Sequence, residues 1–262
     1  LITSMSKLEA AQEALAQCAA IKEVLVVGAG DADLPEGMSD FASTLSKYPE
    51  TPLERELLGA AMLYSSGTTG RPKGIVRPLP EQSPNEPLPV IGFLSGLWRY
   101  REDMIYLSPA PLYHSAPQAA VGLTLRMGGT VVIMERFDPA DYLRFVEEYQ
   151  VSHSQLVPTM FSRMLKMPEE DRTKYDLSSL EVAVHAAAPC PVLVKQQMID
   201  WWGPIIHEYY GATEGLGFAA CDSAEWLAHP GTVGKIVLGE LSVLDDDMQP
   251  MPKGEPGTLW FK

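Results

Sequence analysis

Short apolar runs alternate with amphipathic stretches over most of the chain, and these two patterns predict strands and helices respectively. Apolar runs of strand length occur at residues 24–27, 61–64, 104–107, 131–134, 154–157, 182–184 and 205–206. Helices are expected at residues 116–127 and 158–167, and near the amino end, where one helical face would carry Leu8, Ala11, Leu15 and Cys18. The alternation predicts an α/β fold with mixed, largely parallel sheets layered with helices.

Local signals set the limits of further segments. Asp138 can cap a helix that begins at Pro139, because aspartate accepts from the first-turn N–H groups and proline suits that turn. The buried face of this helix would consist of Tyr142, Phe145, Val146 and Tyr149. The polar residues 29–52 and the proline-rich residues 77–89 are expected to be irregular.

Beyond about residue 232 the pattern changes to short β runs separated by Asp, Pro and Gly turns. This change predicts a small antiparallel β region at the C-terminal end. We therefore expect an α/β core over residues 1–231 and the start of a small β subdomain over residues 232–262. The hydrophobic share of 46% is sufficient for a packed core.

The chain is strongly acidic, since 34 acidic and 20 basic residues give a formal net charge of −14. Such a charge disfavours nucleic acid and anionic membranes as partners, and a phosphate ligand would have to be held by local groups. The three cysteines, Cys18, Cys190 and Cys221, are widely spaced, which indicates reduced thiols in a cytoplasmic protein. No apolar run in the sequence approaches the roughly 20 residues that span a bilayer.

A glycine-rich segment suited to phosphate follows the strand predicted at residues 61–64. It reads Tyr64-Ser-Ser-Gly-Thr-Thr-Gly-Arg-Pro-Lys-Gly74. Backbone N–H groups, hydroxyls and a lysine can together surround phosphate oxygens. The segment is not a Walker A loop: counted from Gly67, the second required glycine falls on Pro72, and Lys73 precedes Gly74.

A second segment reads Ile205-Ile-His-Glu-Tyr-Tyr-Gly-Ala-Thr-Glu-Gly215. Residues 64–74 resemble the signature Tyr-[Thr/Ser]-Ser-Gly-Thr-Thr-Gly-x-Pro-Lys-Gly of the adenylate-forming (ANL) superfamily, which includes the acyl-CoA synthetases and other AMP-binding enzymes. Residues 210–214 resemble the Tyr-Gly-x-Thr-Glu motif of the same family. The two motifs occur in the family's order, and the resemblance extends over nearly the whole chain.

The resemblance implies a role for each matching residue. Catalysis would involve Lys73, Thr213, Glu214 and His114, with Glu214 as the Mg²⁺ ligand. Tyr210 would stack on adenine and Thr213 would donate to the α-phosphate. The nucleotide-binding residues would be Ser65, Ser66, Gly67, Thr68, Thr69, Gly70, Lys73, Ala187, Ala188, Pro189, Glu208, Tyr209, Tyr210, Gly211, Ala212 and Thr213.

Two matching segments concern the acyl site. Residues 184–190 lie where the family has a Gly-Gly-Ala-Pro-like segment, but Ala186 and Ala187 replace the glycines, and their methyl groups are expected to narrow the pocket or shift the acyl path. In residues 109–115, which resemble an aromatic-His segment of the family, His114 would lie near the acyl carboxylate beside Tyr113. Residues 229–235 and 254–261 resemble two further stretches of the family, which are mainly turn-and-strand scaffold.

The activity implied by the resemblance is the ATP-dependent activation of a carboxylic acid, fatty or otherwise hydrophobic, followed by thioester formation with CoA. The cofactors and co-substrates would be ATP, Mg²⁺ and CoA, and none of the steps needs a protein nucleophile. The chain opens without Met and stops before the family's lid domain, so we expect a piece of the large domain that is poorly active alone.

Three questions stay open at this point. The chain could be a non-catalytic nucleotide-binding module, or the acid could be an aryl acid, or the acceptor could be a carrier protein instead of CoA. A homo-oligomer is also compatible with the sequence. Acyl-adenylate formation would separate the enzyme from the non-catalytic module.

Overall fold

A computed structural model describes residues 1–65 and 72–262 of the chain. The described residues form two compact units, residues 1–57 and residues 58–262. Together they confirm the predicted α/β class with mixed, largely parallel sheets and layered helices. Within the described residues, no helix combines the length and the apolar character needed to cross a membrane.

The first unit is built on a three-stranded parallel sheet in the order β1-β2-β3. Its elements are β1 (Ile2–Ser4), a 3-10 turn (Met5–Lys7), α1 (Leu8–Gln17), β2 (Val24–Val27), β3 (Met38–Asp40) and α2 (Phe41–Leu45). The predicted first helix and first strand are confirmed. The prediction of an irregular segment at residues 29–52 is wrong for β3 and α2. Backbone pairing with β2 holds β3, and Asp40 caps α2 by accepting from Ser43 N at 2.7 Å.

The second unit opens with a hairpin that carries the glycine-rich segment. Strands β4 (Leu63–Ser65) and β5 (Lys73–Ile75) pair antiparallel, with Ser65 opposite Lys73. The strand predicted at residues 61–64 is therefore displaced toward the loop. Its partner β5 was not predicted, because Lys-Gly-Ile lacks an apolar pattern and depends on pairing across the hairpin.

The centre of the second unit is a seven-stranded sheet in the order β12-β11-β10-β9-β8-β6-β7. Its strands are β6 (Ile105–Ser108), β7 (Thr130–Ile133), β8 (His153–Leu156), β9 (Val182–His185), β10 (Ile206–Gly211), β11 (Phe218–Cys221) and β12 (Lys235–Leu238). Strands β7, β6, β8, β9 and β10 are parallel, whereas β11 and β12 continue the sheet in antiparallel pairing.

The helices of this unit are α3 (Pro89–Trp98), α4 (Ser115–Arg126), α5 (Pro139–Tyr149), α6 (Pro158–Leu165), α7 (Glu169–Arg172), α8 (Val192–Trp202) and α9 (Ser223–Ala228). Helices α4 to α8 connect the parallel strands, as the βαβ pattern requires, whereas α3 precedes β6 and α9 lies between β11 and β12. The helices predicted at 116–127 and 158–167 and from Pro139 are confirmed. The proline-rich segment ends where α3 begins, because Pro89 occupies the first helical turn.

The sheet is covered on both faces, which the alternation of side chains in a strand makes possible. In β9, Val182 and Val184 pack in the same cluster as residues of α3 and α4, whereas Ala183 packs with residues of α5, α6 and α8. Helix α5 buries Leu143, while Tyr149 is 42% exposed, so its buried face is turned slightly from the predicted one. The Asp138 cap is confirmed, with bonds from Ala140 N and Asp141 N.

At the C-terminal end, strands β13 (Leu241–Leu244) and β14 (Thr258–Phe261) form an antiparallel pair. The preceding strand β12 belongs to the seven-stranded sheet instead, through its pairing with β11. A β-carbon on Gly234, whose φ is +97°, would lie 2.0 Å from Ala220 O, so this turn requires glycine. The predicted division between residues 231 and 232 stays a prediction.

A buried histidine joins β8 to α3. His153 Nε2 lies 3.0 Å from Trp98 O, and Nδ1 lies 2.8 Å from Ser152 Oγ. Because a carbonyl only accepts, Nε2 carries the proton and Nδ1 accepts from the hydroxyl. Burial lowers the pKa of His153 from 6.5 to about 4, so the ring is neutral in the folded protein near pH 7.

This histidine should make stability depend on pH. The unfolded chain takes up a proton near pH 6.5 and the folded protein only near pH 4, so stability is lost as pH falls through this window. The loss assigned to His153 is about 3 kcal/mol. Denaturant titrations at pH 7 and pH 4.5 should show a smaller difference for His153→Gln than for the native chain. His229→Gln is the control, since His229 is exposed; equal differences for all three proteins would contradict the assignment.

Candidate functional site

The parallel strands bring three of the predicted segments to one edge of the sheet. His114 follows β6, residues 187–189 follow β9, and residues 212–214 follow β10. These strands run in the same direction, and β6, β8, β9 and β10 are neighbours in that order, so their carboxyl ends share an edge. Open α/β sheets bind ligands outside this edge.

The fourth segment belongs to the β4–β5 hairpin, and a hydrogen bond joins the described part of this hairpin to the segment after β10. Arg77, just after β5, donates from Nη2 to Thr213 O at 2.7 Å, across a separation of 136 residues in sequence. The hairpin that carries Lys73 therefore lies beside the Tyr-Gly-Ala-Thr-Glu segment. Sequence reasoning missed Arg77, and no sequence signal reveals it, because its acceptor is a backbone carbonyl that any residue could provide.

Only the stem of the glycine-rich segment is described. Ser65 is half-buried and pairs with Lys73, whose side chain is exposed. The predicted nucleotide-binding residues Ser66, Gly67, Thr68, Thr69 and Gly70 lie outside the described residues. The roles assigned to this segment stay predictions.

Consecutive tyrosines of β10 have different surroundings because side chains alternate along a strand. Tyr209 stacks on Phe218, with centroids 4.7 Å apart and planes 13° apart, and its hydroxyl accepts from Gln155 Nε2 at 2.8 Å. Burial raises the pKa of Tyr209. Tyr210 is exposed, and its ring lies 6.0 Å from that of Phe261. Of the two rings, Tyr210 is the one accessible to a planar ligand.

The segment after β10 presents oxygen and hydroxyl groups to solvent. Glu214 and Ala212 are exposed, and Thr213 is half-buried. In the described parts of the chain, no three His, Cys, Asp or Glu residues are grouped as metal ligands. One carboxylate fits Mg²⁺ that is bound mainly through phosphate oxygens and water, so Glu214 is compatible with its predicted role.

His114 stands immediately before helix α4, at its N-cap position, without capping it through its side chain. The ring is exposed and lies 4.4 Å from that of Tyr113, which is also exposed. The predicted His-aromatic pair is therefore present at the carboxyl edge of the sheet. Its role toward an acyl carboxylate stays a prediction.

The two alanines that replace the family's glycines lie in different surroundings. Ala186 is buried, whereas Ala187 and its neighbours Ala188 and Pro189 are exposed. Ala187 has a φ of +76°, in the left-handed region that favours glycine. The backbone of this connection thus retains the conformation of a glycine at a position where the sequence has alanine.

Replacing Ala187 by glycine should therefore stabilise the chain. Left-handed backbone costs a non-glycine residue about 1–2 kcal/mol, and the extra entropy of unfolded glycine offsets about half of this gain. We expect Ala187→Gly to raise the free energy of unfolding by about 0.5–1 kcal/mol, measured by denaturant titration. Ala188→Gly is the matched control and should lower it, because φ at Ala188 is not positive. A lower free energy of unfolding for Ala187→Gly would contradict the inference that the backbone at Ala187 is strained.

Glu208, predicted to contact nucleotide, has a buried side chain. Its Oε2 lies 2.5 Å from Lys195 Nζ in α8 and 3.4 Å from His185 Nε2 at the end of β9. Burial and the charge of Lys195 lower the pKa of His185 to about 3, so this ring is neutral. Burial likewise raises the pKa of the nearby Cys190 thiol to about 11. The sequence did not predict a role for Lys195, because no motif or pattern distinguishes it from the other polar residues of α8.

Comparison with known proteins gives a consistent match over the whole chain. The family model described as "AMP-binding enzyme" matches residues 1–262. The chain is 26% identical to the medium/long-chain-fatty-acid–CoA ligase FadD8 of Mycobacterium tuberculosis over 96% of its own length and 44% of that protein. It is 31% identical to the 4-coumarate–CoA ligase-like 3 protein of Arabidopsis thaliana over 78% of its own length and 37% of that protein. The chain thus spans less than half of these relatives.

Solved structures show the same fold. The amide bond synthetase McbA of Marinactinospora thermotolerans superposes with a TM-score of 0.76 and 23% identity, covering all of this chain and 50% of that one. ATP-bound MatB of Rhodopseudomonas palustris superposes with a TM-score of 0.72 and 22% identity, again over all of this chain and 50% of the other.

Proposed function

The chain belongs to the AMP-binding enzyme family, and from this premise we propose that it is part of a ligase that activates a carboxylic acid with ATP and passes the acyl group to CoA. The observation that carries the proposal is the hydrogen bond from Arg77 Nη2 to Thr213 O. It joins the hairpin of the first family motif to the second motif, so Lys73 and the Thr213–Glu214 pair would act on one nucleotide.

The proposed reaction has two steps. A carboxylate oxygen of the acid attacks the α-phosphorus of ATP, and the bond to pyrophosphate breaks, which leaves an acyl-adenylate. The thiol of CoA, after loss of its proton, then attacks the acyl carbon, and AMP leaves with the electrons of the broken acyl–oxygen bond. Both steps bring anions together, so the main task of the protein is to compensate negative charge and orient the reactants.

The residues at the carboxyl edge and on the β4–β5 hairpin would supply what this task requires. Lys73 would contribute a positive charge to the phosphates, and Thr213 would donate its hydroxyl to the α-phosphate. Tyr210, whose ring is exposed, would stack on adenine. Glu214 would hold Mg²⁺ together with phosphate oxygens, and the ion would supply further charge compensation when bound. Local cations matter here because the chain as a whole has a net charge of −14.

The substrate is proposed from the relatives. The first relative is named for medium- or long-chain fatty acids, and the second for its likeness to 4-coumarate–CoA ligases; both kinds of acid join a carboxylate to a hydrophobic body. We assign an aliphatic acid as the first choice, since the fatty-acid ligase matches 96% of the chain and the ligase-like protein matches 78%. The same names support CoA as the acceptor over a carrier protein.

ATP–pyrophosphate exchange tests the proposal. The complete protein that contains this chain, and the chain itself, would be assayed with aliphatic acids of increasing length and with aryl acids, and AMP release would be followed after addition of CoA. We expect exchange only with a hydrophobic acid present, and much less with the chain alone. Nucleotide binding without exchange for any acid would refute the ligase and support the non-catalytic module.

A further inference from the structure

One connection in the large sheet has a buried ion pair at the end where it enters a helix. Residues 186–191 link β9 to α8, with His185 as the last residue of β9 and Lys195 one turn inside α8. Glu208 Oε2 lies 2.5 Å from Lys195 Nζ and 3.4 Å from His185 Nε2. The carboxylate on the neighbouring strand β10 thus pairs with the helix end of the connection, while the neutral His185 ring lies beside it without a hydrogen bond to it.

The ion pair between Lys195 and Glu208 is buried, so a ligand cannot reach either charged group. The Lys195 and His185 side chains have no exposure and that of Glu208 has 7%. The ring of Trp226 covers the ammonium at 5.1 Å. Two buried charges in such surroundings depend on each other, because neither has water to replace its partner. These buried side chains could therefore affect a bound nucleotide only through the residues that lie between them and the ligand.

The position of the cluster connects two segments of the candidate site. Glu208 precedes Tyr210 by two residues in β10, and the connection contains Ala187, Ala188 and Pro189. Ala187 keeps a φ of +76°, which costs free energy and therefore needs support from its surroundings. An ion pair has a defined geometry that apolar contacts of equal size lack, so it can fix the distance between the two segments.

We propose that Lys195 is a positioning residue, which acts through Glu208 to hold residues 186–191 against β10 and thereby sets the affinity for ATP. The ATP part of this proposal rests on the proposed function above. The ion pair would support the nucleotide site from the interior of the protein. Its loss would change the positions of residues 186–191 and 209–213, in addition to any change in overall stability.

The test uses a double variant in which both charges are removed together. Lys195→Met/Glu208→Met leaves no unpaired charge, and replacing a buried ion pair by apolar side chains is often neutral for stability. The control is Arg101→Met/Glu181→Met, which removes a partly exposed ion pair, 2.6 Å long, whose members precede β6 and β9 at the opposite edge of the sheet. Thermal unfolding, ATP affinity by calorimetry and amide hydrogen exchange would be measured on the complete protein.

We expect the Lys195/Glu208 double variant to fold, to bind ATP about 10- to 100-fold more weakly, and to exchange amide hydrogens faster at residues 186–191 and 209–213. The control should keep native ATP affinity and native exchange in both segments. A folded double variant with native affinity and native exchange would overturn the proposal. If the native protein bound no ATP, the proposed function and the proposed effect on ATP affinity would fail together. The hydrogen-exchange comparison would still decide whether the ion pair holds residues 186–191 in place.

Discussion

Replacement of Lys73 by alanine is expected to lower the rate of ATP–pyrophosphate exchange by about 100- to 1,000-fold. The lysine begins β5 on the hairpin that Arg77 joins to Thr213, and its side chain is exposed toward solvent. In a chain with a net charge of −14, the overall field repels phosphate, so local cations must stabilise the charge that develops on the phosphates. Loss of one of them should therefore affect the transition state directly.

Lys166→Ala is the matched control for this prediction. Lys166 is also an exposed lysine, but it follows α6 directly, at the far end of that helix from the carboxyl edge of the sheet. Exchange by this variant should equal that of the native protein, and both variants should unfold at the native temperature. Equal exchange by Lys73→Ala and the native protein would remove Lys73 from the proposed site.

The second large effect concerns stability. Lys195→Met alone should lower the free energy of unfolding by about 3–5 kcal/mol, because it leaves the Glu208 carboxylate buried without a partner. The side chain of Glu208 is 7% exposed, so water cannot replace the ammonium that lies 2.5 Å away. Denaturant unfolding of the single variant, at pH 7, measures the loss.

The double variant Lys195→Met/Glu208→Met provides the comparison for this measurement. It should recover most of the stability that the single variant loses, because both charges are then absent. A single variant as stable as the native chain would contradict the prediction that the buried Glu208 side chain depends on Lys195.

The sequence was informative wherever one element determines its own structure. The run of β2 and the cap of α5 depend on neighbours in sequence, and both are confirmed. Polar elements such as β3 and β5 were missed, because each is held by pairing with a partner strand that a local pattern does not reveal. The sequence shows the order of the motifs along the chain, whereas their proximity in space follows from the parallel sheet.

The supporting residues of the candidate site were beyond sequence reasoning for a related cause. Arg77 reaches a backbone carbonyl 136 residues away, and Lys195 reaches a carboxylate on another element. Neither contact produces a periodic or compositional pattern in the sequence. Glu208 was singled out with the motif, but its burial against Lys195 depends on how α8 packs on the sheet.

The strand order of the large sheet also bears on how the protein is made. From β9 to β12, each strand pairs with the one that precedes it in the chain. A chain that emerges from the ribosome can therefore add each new strand to an edge that already exists, once β6, β7 and β8 have assembled. Sheet growth from β8 to β12 can therefore follow the direction of synthesis, which would shorten the time that each of these strand edges stays unpaired.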